Sequence, residues 1–180
     1  MTQADPIRIR PGLPEDSRLL CALGHRTFAD SFGADNHPSD MAAYLKAAFS
    51  PQIQAAELAD PKSHVLIAET GDEAVGYARL VERASPSGLR AHRPIQLVRL
   101  YAVKAWIGRG VGAALMDACI AIARRRGCDG IWLGVWGKNT RAIDFYRHWG
   151  FRQVGTQAFV LGNDRQTDLV LWLALDTADQ

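Results

Sequence analysis

The stretch that decides the fold is Leu100-Tyr101-Ala102-Val103-Lys104-Ala105-Trp106-Ile107-Gly108-Arg109-Gly110-Val111-Gly112-Ala113-Ala114-Leu115. An apolar strand pattern ends in a glycine-rich turn, and helical spacing begins after the turn. The glycines leave the backbone open to a ligand, while the helix N-terminus offers free N–H groups and a positive dipole end. The turn therefore predicts a phosphate or pyrophosphate site. The same pattern also fits a tight turn that only packs a helix on a sheet.

Two common nucleotide-binding motifs do not match this turn. The spacing G-x-G-x-x-G is missing because Gly112 is followed by Ala113, Ala114 and Leu115. The spacing G-x-x-x-x-G-K-[ST] is missing as well, and the turn lies late in the chain instead of after its first strand. The sequence thus disfavours a nucleotide-dependent dehydrogenase and a P-loop protein.

Length and charge bound the class of protein. At 180 residues, with 48% hydrophobic and 22% charged residues, the chain is expected to form one globular domain over residues 1–180. A net charge of +2 is too small to indicate a nucleic-acid partner. The one basic run, Arg124 to Arg126, is expected at a helix C-terminus, where it is favourable against the dipole.

Cysteine usage and the amino terminus indicate the compartment. Cys21, Cys119 and Cys128 lack C-x-x-C spacing, so neither a disulfide framework nor a metal site is predicted. The first six residues lack the basic and apolar segments of a signal peptide, and no apolar run reaches membrane-spanning length. We therefore predict a cytoplasmic protein with no membrane partner.

Periodicity predicts an α+β (mixed α/β) fold. Alternating patterns predict strands at 7–10, 64–69, 74–81, 95–103, 131–136, 151–161 and 168–175. Helical spacing predicts helices at 14–28, 41–49, 52–58, 109–126 and from Asn139 to Gly150, with a mobile loop at 84–94. This order predicts a central, mostly antiparallel sheet with helices on both faces. The strand at 95–103, its helix and the strand at 130–136 should form one parallel, right-handed crossover.

Three features occur in order along the chain: the strand Leu100-Tyr101-x-Val103, the turn Gly108-Arg109-Gly110-Val111-Gly112-Ala113, and Asn139-x-x-Ala142-x-x-Phe145-Tyr146-x-x-x-Gly150-Phe151. This combination resembles the GCN5-related N-acetyltransferase (GNAT) superfamily, whose acyl-CoA-binding turn reads Gln/Arg-x-x-Gly-x-Gly/Ala. The resemblance covers essentially the whole chain and is strongest from Gln96 to Leu175. The segments 27–33, 131–136 and 157–168 are similar to the spermidine/spermine acetyltransferase-like branch.

The resemblance implies acetyl-CoA as co-substrate and no metal. It implies that backbone amides of Gly108, Arg109, Gly110, Val111, Gly112 and Ala113 bind the CoA pyrophosphate. It also implies that Tyr101, Ala102 and Val103 pair with the pantetheine arm as a neighbouring strand would. Ile107 departs from the family's Gln or Arg, but contacts made by backbone N–H groups tolerate that change.

Acetyl transfer to an amine needs a neutral nucleophile, a polarised thioester and a proton for the departing thiolate. Tyr146 is the candidate general acid, both by the resemblance and because a phenol can supply that proton. The alternative is a core tyrosine on an apolar helix face. Asn139 is a candidate CoA contact as well as a helix N-cap.

The sequence does not identify the general base. Related sequences often carry glutamate where this chain has Gln96, and an amide cannot take a proton. Asp30, Glu69, Glu82 and His92 are weak candidates, since such residues are usually solvated. Trp106 and Trp136 are expected at the edge of the cleft, with Phe28 and Phe32 walling the acceptor site.

The expected function is that of an N-acetyltransferase acting on a small primary amine, with polyamines among the candidate substrates. The amine is expected to attack the thioester directly. A homodimer is one candidate assembly. A non-catalytic acyl-CoA-binding or sensor module on the same fold is the alternative, because a fold does not guarantee chemistry. An unrelated phosphate-binding protein would require the ordered motif match to be accidental.

Overall fold

The structure is a computed structural model that describes residues 5–176. Its strands are β1 (Arg8–Pro11), β2 (Ser63–Thr70), β3 (Glu73–Glu82), β4 (Pro94–Ala102), β5 (Gly130–Trp136), β6 (Arg152–Leu161) and β7 (Asp164–Ala174). Its α-helices are α1 (Ser17–Phe32), α2 (Pro38–Ala48), α3 (Pro51–Ala59), α4 (Val111–Arg125) and α5 (Thr140–His148). Every element predicted from periodicity is present, although several boundaries differ.

The strands form one seven-stranded sheet in the order β1-β2-β3-β4-β5-β7-β6. Among the described residues the β4–β5 pair is the one parallel pair, and the other neighbours are antiparallel. Helix α4 connects β4 to β5, which is the predicted crossover. The mixed α/β fold class with a mostly antiparallel sheet is therefore confirmed.

Two hydrophobic clusters lie on opposite faces of the sheet. The first contains Leu115, Met116 and Cys119 of α4 with Ile143 and Tyr146 of α5. The second contains side chains of α1 and α2 and the segment that follows α2, among them Leu20, Leu23, Phe28, Met41 and Phe49. The strands contribute side chains to both clusters, because successive side chains of a strand point to opposite faces of the sheet.

Strands β4 and β5 separate soon after they meet. Their pairing runs only from Pro94 opposite Gly130 to Gln96 opposite Trp132. On its other edge β4 carries a bulge: Leu80 lies opposite Leu97 and Arg79 opposite Arg99, which leaves Val98 as an extra residue. A bulge bends its strand and increases the local twist. The sheet consequently opens between the carboxyl-terminal halves of β4 and β5.

Two predicted boundaries, the end of α1 and the start of β7, were wrong by four residues. Helix α1 continues past Phe28 to Phe32, and the two rings lie 4.6 Å apart, so an i,i+4 aromatic pair supports the extra turn. The turn between β6 and β7 contains only Gly162 and Asn163, whereas residues up to 167 were predicted as loop. Asn163 N–H donates to Asp40, which holds this tight turn against α2.

Residues 83–93 have neither helix nor strand, and their predicted mobility stays a prediction. Within residues 5–176, no helix combines the length and the apolar character needed to cross a membrane.

Gly24 tests the packing between α1 and the segment after α2. A Cβ atom built on Gly24 would collide with the ring of Phe49, a side chain that is 2% exposed. Overpacking costs about 1–3 kcal/mol, and the better helix propensity of alanine returns about 1 kcal/mol. We expect Gly24→Ala to lower the free energy of unfolding by up to about 2 kcal/mol in urea titrations.

The matched control is Gly33→Ala, at the C-terminal cap of the same helix, where an added Cβ atom meets nothing within 4 Å. Equal stability of the two variants would contradict the packing described here.

Candidate active site

The gap between β4 and β5 opens into a cavity of about 570 Å³. Residues 96–102 of β4 line one side and residues 134–136 of β5 line the other. The lining includes the four aromatic residues that the sequence analysis expected at the cleft: Trp106, Trp136, Phe28 and Phe32. Ten of the lining residues are aromatic, so the cavity suits a ligand with an apolar part.

The glycine-rich turn forms one end of the cavity. Gly108 and Gly110 have φ of +77° and +89°, a conformation that favours glycine, and Gly110 is the N-cap of α4. Ala114 N–H donates to the Gly110 carbonyl, whereas the N–H groups of residues 110–113 have no acceptor among the described residues. Free N–H groups at a helix N-terminus form an anion site. The turn thus has the free N–H groups that a phosphate or pyrophosphate site needs, and the binding site itself stays a prediction.

The predicted cofactor-binding residues fall into two groups. The cavity is lined by Tyr101, Ala102, Gly108, Gly110, Gly112, Ala113 and Asn139. The side chains of Val103 and Val111 are buried in the two cores, and Val103 N–H donates to the Val75 carbonyl. The Arg109 guanidinium lies 5.4 Å from the centre of the Trp106 ring instead of lining the cavity. For Val111, whose side chain is buried, only backbone groups remain as candidate contacts.

Tyr146 and Asn139 lie at the two ends of the first two turns of α5. The Tyr146 ring packs against Phe145 and Phe151, while the residue also lines the cavity. Its hydroxyl makes no hydrogen bond within residues 5–176, and burial raises the pKa of the phenol well above its ordinary value. Asn139 Oδ1 accepts from Ala142 N–H at 3.2 Å, so it is an N-cap that also borders the cavity. Tyr146 is therefore protonated at neutral pH and free to donate.

The residues considered as general base from the sequence lie elsewhere. None of Asp30, Glu69, Glu82 and His92 lines this cavity. Glu69 pairs with Arg8 and Arg10, and Glu82 pairs with His64 and Arg126. Hydrogen bonds from these partners lower the pKa of both carboxyls. Glu69 and Glu82 are thus held in ion pairs away from the cavity. The expectation that the four candidates could border the substrate cleft was wrong.

Asp168 is the site residue that the sequence interpretation missed. It lies on β7, is 7% exposed and lines the cavity. Burial raises the pKa of its carboxyl to about 6. The signal was present in the sequence, because strand alternation puts Asp168 on the same face as Val170, which is also buried. A carboxylate on the inward face of a strand marks a functional position.

Gln96 and Arg99 complete the polar lining. The side-chain oxygen of Gln96 is buried and has no hydrogen-bond partner within the described residues. Arg99 donates both terminal nitrogens to Glu57, at 2.6 and 3.1 Å, and Arg79 shares that carboxylate at 3.1 Å. Two guanidinium groups thus share one carboxylate. The cluster carries a net positive charge beside the cavity.

Comparisons with known proteins agree with this geometry. The model of the acetyltransferase (GNAT) family matches residues 26–151. An uncharacterized N-acetyltransferase in the pepI 3' region of Lactobacillus delbrueckii subsp. lactis is 35% identical over 169 residues, covering 91% of this chain and 92% of the relative. These two matches concern sequence and cover most of the chain.

Two solved structures have a similar fold. The PaiA N-acetyltransferase from Thermoplasma acidophilum, in complex with coenzyme A, has a TM-score of 0.78 at 17% identity, covering 94% of this chain and 99% of that one. YncA from Salmonella typhimurium, a putative acetyltransferase with acetyl-CoA, has a TM-score of 0.65 at 20% identity, covering 97% of both chains. At these identities the likeness concerns the fold alone.

The buried carboxylate of Asp168 makes a stability prediction. Its pKa of about 6 in the folded protein lies above the ordinary value of 3.8, so the ionised form is disfavoured on folding. The contribution of Asp168 to the stability of the wild type therefore falls as pH rises from about 4 to about 6. Asp168→Asn lacks this loss, and at about 1.4 kcal/mol per pKa unit we expect it to be more stable by about 2–3 kcal/mol at pH 7.5.

Urea unfolding at pH 3.5 and 7.5 measures this difference, which should disappear at the lower pH. Asp144→Asn, at a carboxylate that is 76% exposed, should change stability little at either pH. Equal stability of wild type and Asp168→Asn at pH 7.5 would contradict the burial of an ionised group.

Proposed function

The chain belongs to the acetyltransferase (GNAT) family and is an N-acetyltransferase, and from this premise we propose that it transfers the acetyl group of acetyl-CoA to a small primary amine. The observation that carries the proposal is that Gly110, Gly112 and Ala113, whose N–H groups are free among the described residues, border the same cavity as Tyr146. An anion site can hold the pyrophosphate of CoA, and a proton donor can protonate the departing thiolate.

We assign the CoA pyrophosphate to the amides of residues 108–113. The positive end of α4 adds to the attraction because it favours negative charge at the N-terminus. The edge of β4 that faces β5 has no strand partner beyond Gln96, which supports pantetheine pairing along Tyr101 and Ala102. Val103 contributes less, since its N–H already donates to Val75.

We assign direct attack by the neutral amine on the thioester, with Tyr146 as general acid. The phenol keeps its proton at neutral pH and its hydroxyl has no competing partner within the described residues. The narrower kinship with spermidine/spermine acetyltransferases, a homodimeric assembly and a cytoplasmic location remain predictions.

Gly110→Asp tests the anion site. The substitution puts a negative carboxylate at the N-cap of α4, against the CoA pyrophosphate, and we expect acetyl-CoA affinity to fall at least tenfold, or about 1.4 kcal/mol. Isothermal titration calorimetry with acetyl-CoA measures the change.

Gly88→Asp is the matched control, because Gly88 also has a positive φ, +98°, and an added Cβ atom there meets nothing within 4 Å. It should bind acetyl-CoA as the wild type does. Undiminished affinity in folded Gly110→Asp would overturn the assignment of the pyrophosphate.

Tyr146→Phe tests the general acid. The ring and its packing remain, so acetyl-CoA affinity should change little, while kcat should fall on the order of 10²-fold. A thiolate is already a fair leaving group at neutral pH, which argues against a larger loss. Thiol release on a confirmed amine acceptor measures the rate.

Tyr77→Phe removes a buried phenol that does not line the cavity and should leave kcat unchanged. An unchanged rate for Tyr146→Phe across pH 6 to 9 would return Tyr146 to a packing role and make water the proton source.

A further inference from the structure

We propose that Asp168 binds the ammonium group of the acceptor and takes its proton, and that the acceptor is a primary amine with one positive charge and an apolar body. The inference rests on the proposed acetyl transfer to an amine and names the base and the substrate class of that same site. It concerns a residue that neither the ordered motifs nor the glycine-rich turn includes.

Asp168 is the one carboxylate on the cavity lining among the described residues. It is 7% exposed, and no hydrogen bond or ion pair within residues 5–176 reaches its carboxylate oxygens. A buried charge without a partner is costly, so such a group is expected to meet its partner in a ligand. A cation bound in the cavity would be the ion-pair partner that Asp168 lacks within the described residues.

The neighbours of Asp168 keep its carboxylate accessible. Gly134 faces it from β5, and a Cβ atom there would lie 3.1 Å from Asp168 Oδ2 and 2.5 Å from Gln157 Nε2. The absence of a side chain at Gly134 therefore leaves space for both polar groups at the cavity. Gln157 lies opposite Asp168 on β6 and also lines the cavity, so its amide is available to orient the acceptor.

The walls of this part of the cavity are aromatic. The rings of Phe28 and Tyr44 stack at 4.5 Å, Tyr44 meets Phe159 at 5.5 Å, and Phe32 meets Trp136 at 6.2 Å. Aromatic faces attract an ammonium group and bury an apolar body. The walls therefore fit an amine attached to an apolar group better than a hydrophilic chain.

The charges around the cavity limit the acceptor to one positive charge. Its titratable and charged lining residues are Tyr44, Arg99, Tyr101, Arg141, Tyr146 and Asp168. Both terminal nitrogens of Arg99 donate to Glu57, which also pairs with Arg79, so the cluster keeps an excess positive charge. A second ammonium group would find no carboxylate and would meet Arg99 or Arg141. This arrangement disfavours a polyamine.

The proposed step balances its protons. The ammonium group gives one proton to Asp168, and the neutral nitrogen attacks the thioester carbonyl of acetyl-CoA. The C–N bond forms, the C–S bond breaks, and the thiolate takes the proton of Tyr146. The second proton lost by the nitrogen restores Tyr146, and Asp168 releases its proton to solvent. With a pKa of about 6, Asp168 is ionised at neutral pH and close to the range expected of a general base.

Benzylamine and aniline form a matched pair of acceptors for the test, because the first is protonated at pH 7.5 and the second is neutral. We expect Asp168→Asn to lower kcat/KM for benzylamine by 10²-fold or more and for aniline by less than tenfold. In the wild type, kcat/KM for benzylamine should fall below a pH of about 6, and this limb should be absent in Asp168→Asn. Spermidine should be a poorer acceptor than benzylamine.

A binding measurement separates this inference from the proposed reaction. In calorimetry with the CoA-bound enzyme, benzylammonium should bind the wild type at least tenfold more tightly than Asp168→Asn, while benzyl alcohol should bind both equally. Asp144→Asn, at an exposed carboxylate, should match the wild type in both assays.

Equal losses for benzylamine and aniline would overturn the role as base, and equal binding of benzylammonium to both proteins would overturn the ammonium site. Acetylation of spermidine at least as fast as benzylamine would overturn the substrate class. If the wild type binds benzylammonium as expected but acetylates neither amine, the proposed reaction fails while the ammonium site stands.

Discussion

The separation of β4 from β5 is the constraint on which the rest of the site depends. After three residue pairs the two strands part, and the bulge at Val98 turns β4 away from its neighbour. An unpaired strand edge inside a protein leaves backbone groups that need partners. The open edge of β4 is thus a place where an extended ligand can complete the sheet, and the glycine-rich turn lies directly at its end.

The cavity contains two polar side chains that find no hydrogen-bond partner within the described residues. Gln96 has a buried oxygen with no partner within the described residues, and Asp168 is 7% exposed and makes no hydrogen bond or ion pair there. By contrast, the charged groups of the Arg79–Glu57–Arg99 cluster and of the Arg10–Asp16 pair, at 2.7 Å, are paired. Local exceptions to good pairing are expected where a protein binds or reacts.

Local sequence patterns predicted most helices and strands, and they predicted the glycine-rich turn and Asn139 at the cavity. Helix α4, its glycine N-cap, the crossover and the Asn139 cap follow from periodicity and turn chemistry, which act over a few residues. The end of α1 was missed because the Phe28–Phe32 ring pair extends a helix whose polar residues gave no such signal. Asp168 was missed because charged residues were judged by their place in loops and strand ends, and strand alternation at Val170 was not followed back to Asp168.

The sequence by itself determined the order of elements, the parallel crossover, the free amides of the turn and the position of Tyr146, since these depend on neighbours close in the chain. The tertiary structure alone decided which charged groups meet the cavity. Glu69 and Glu82 are held in ion pairs with residues far away in sequence, while the β5–β7 register puts Asp168 opposite Trp136, with its carboxylate beside Gly134. Burial and pairing are set by contacts between distant segments, and those contacts exist only once the sheet has assembled.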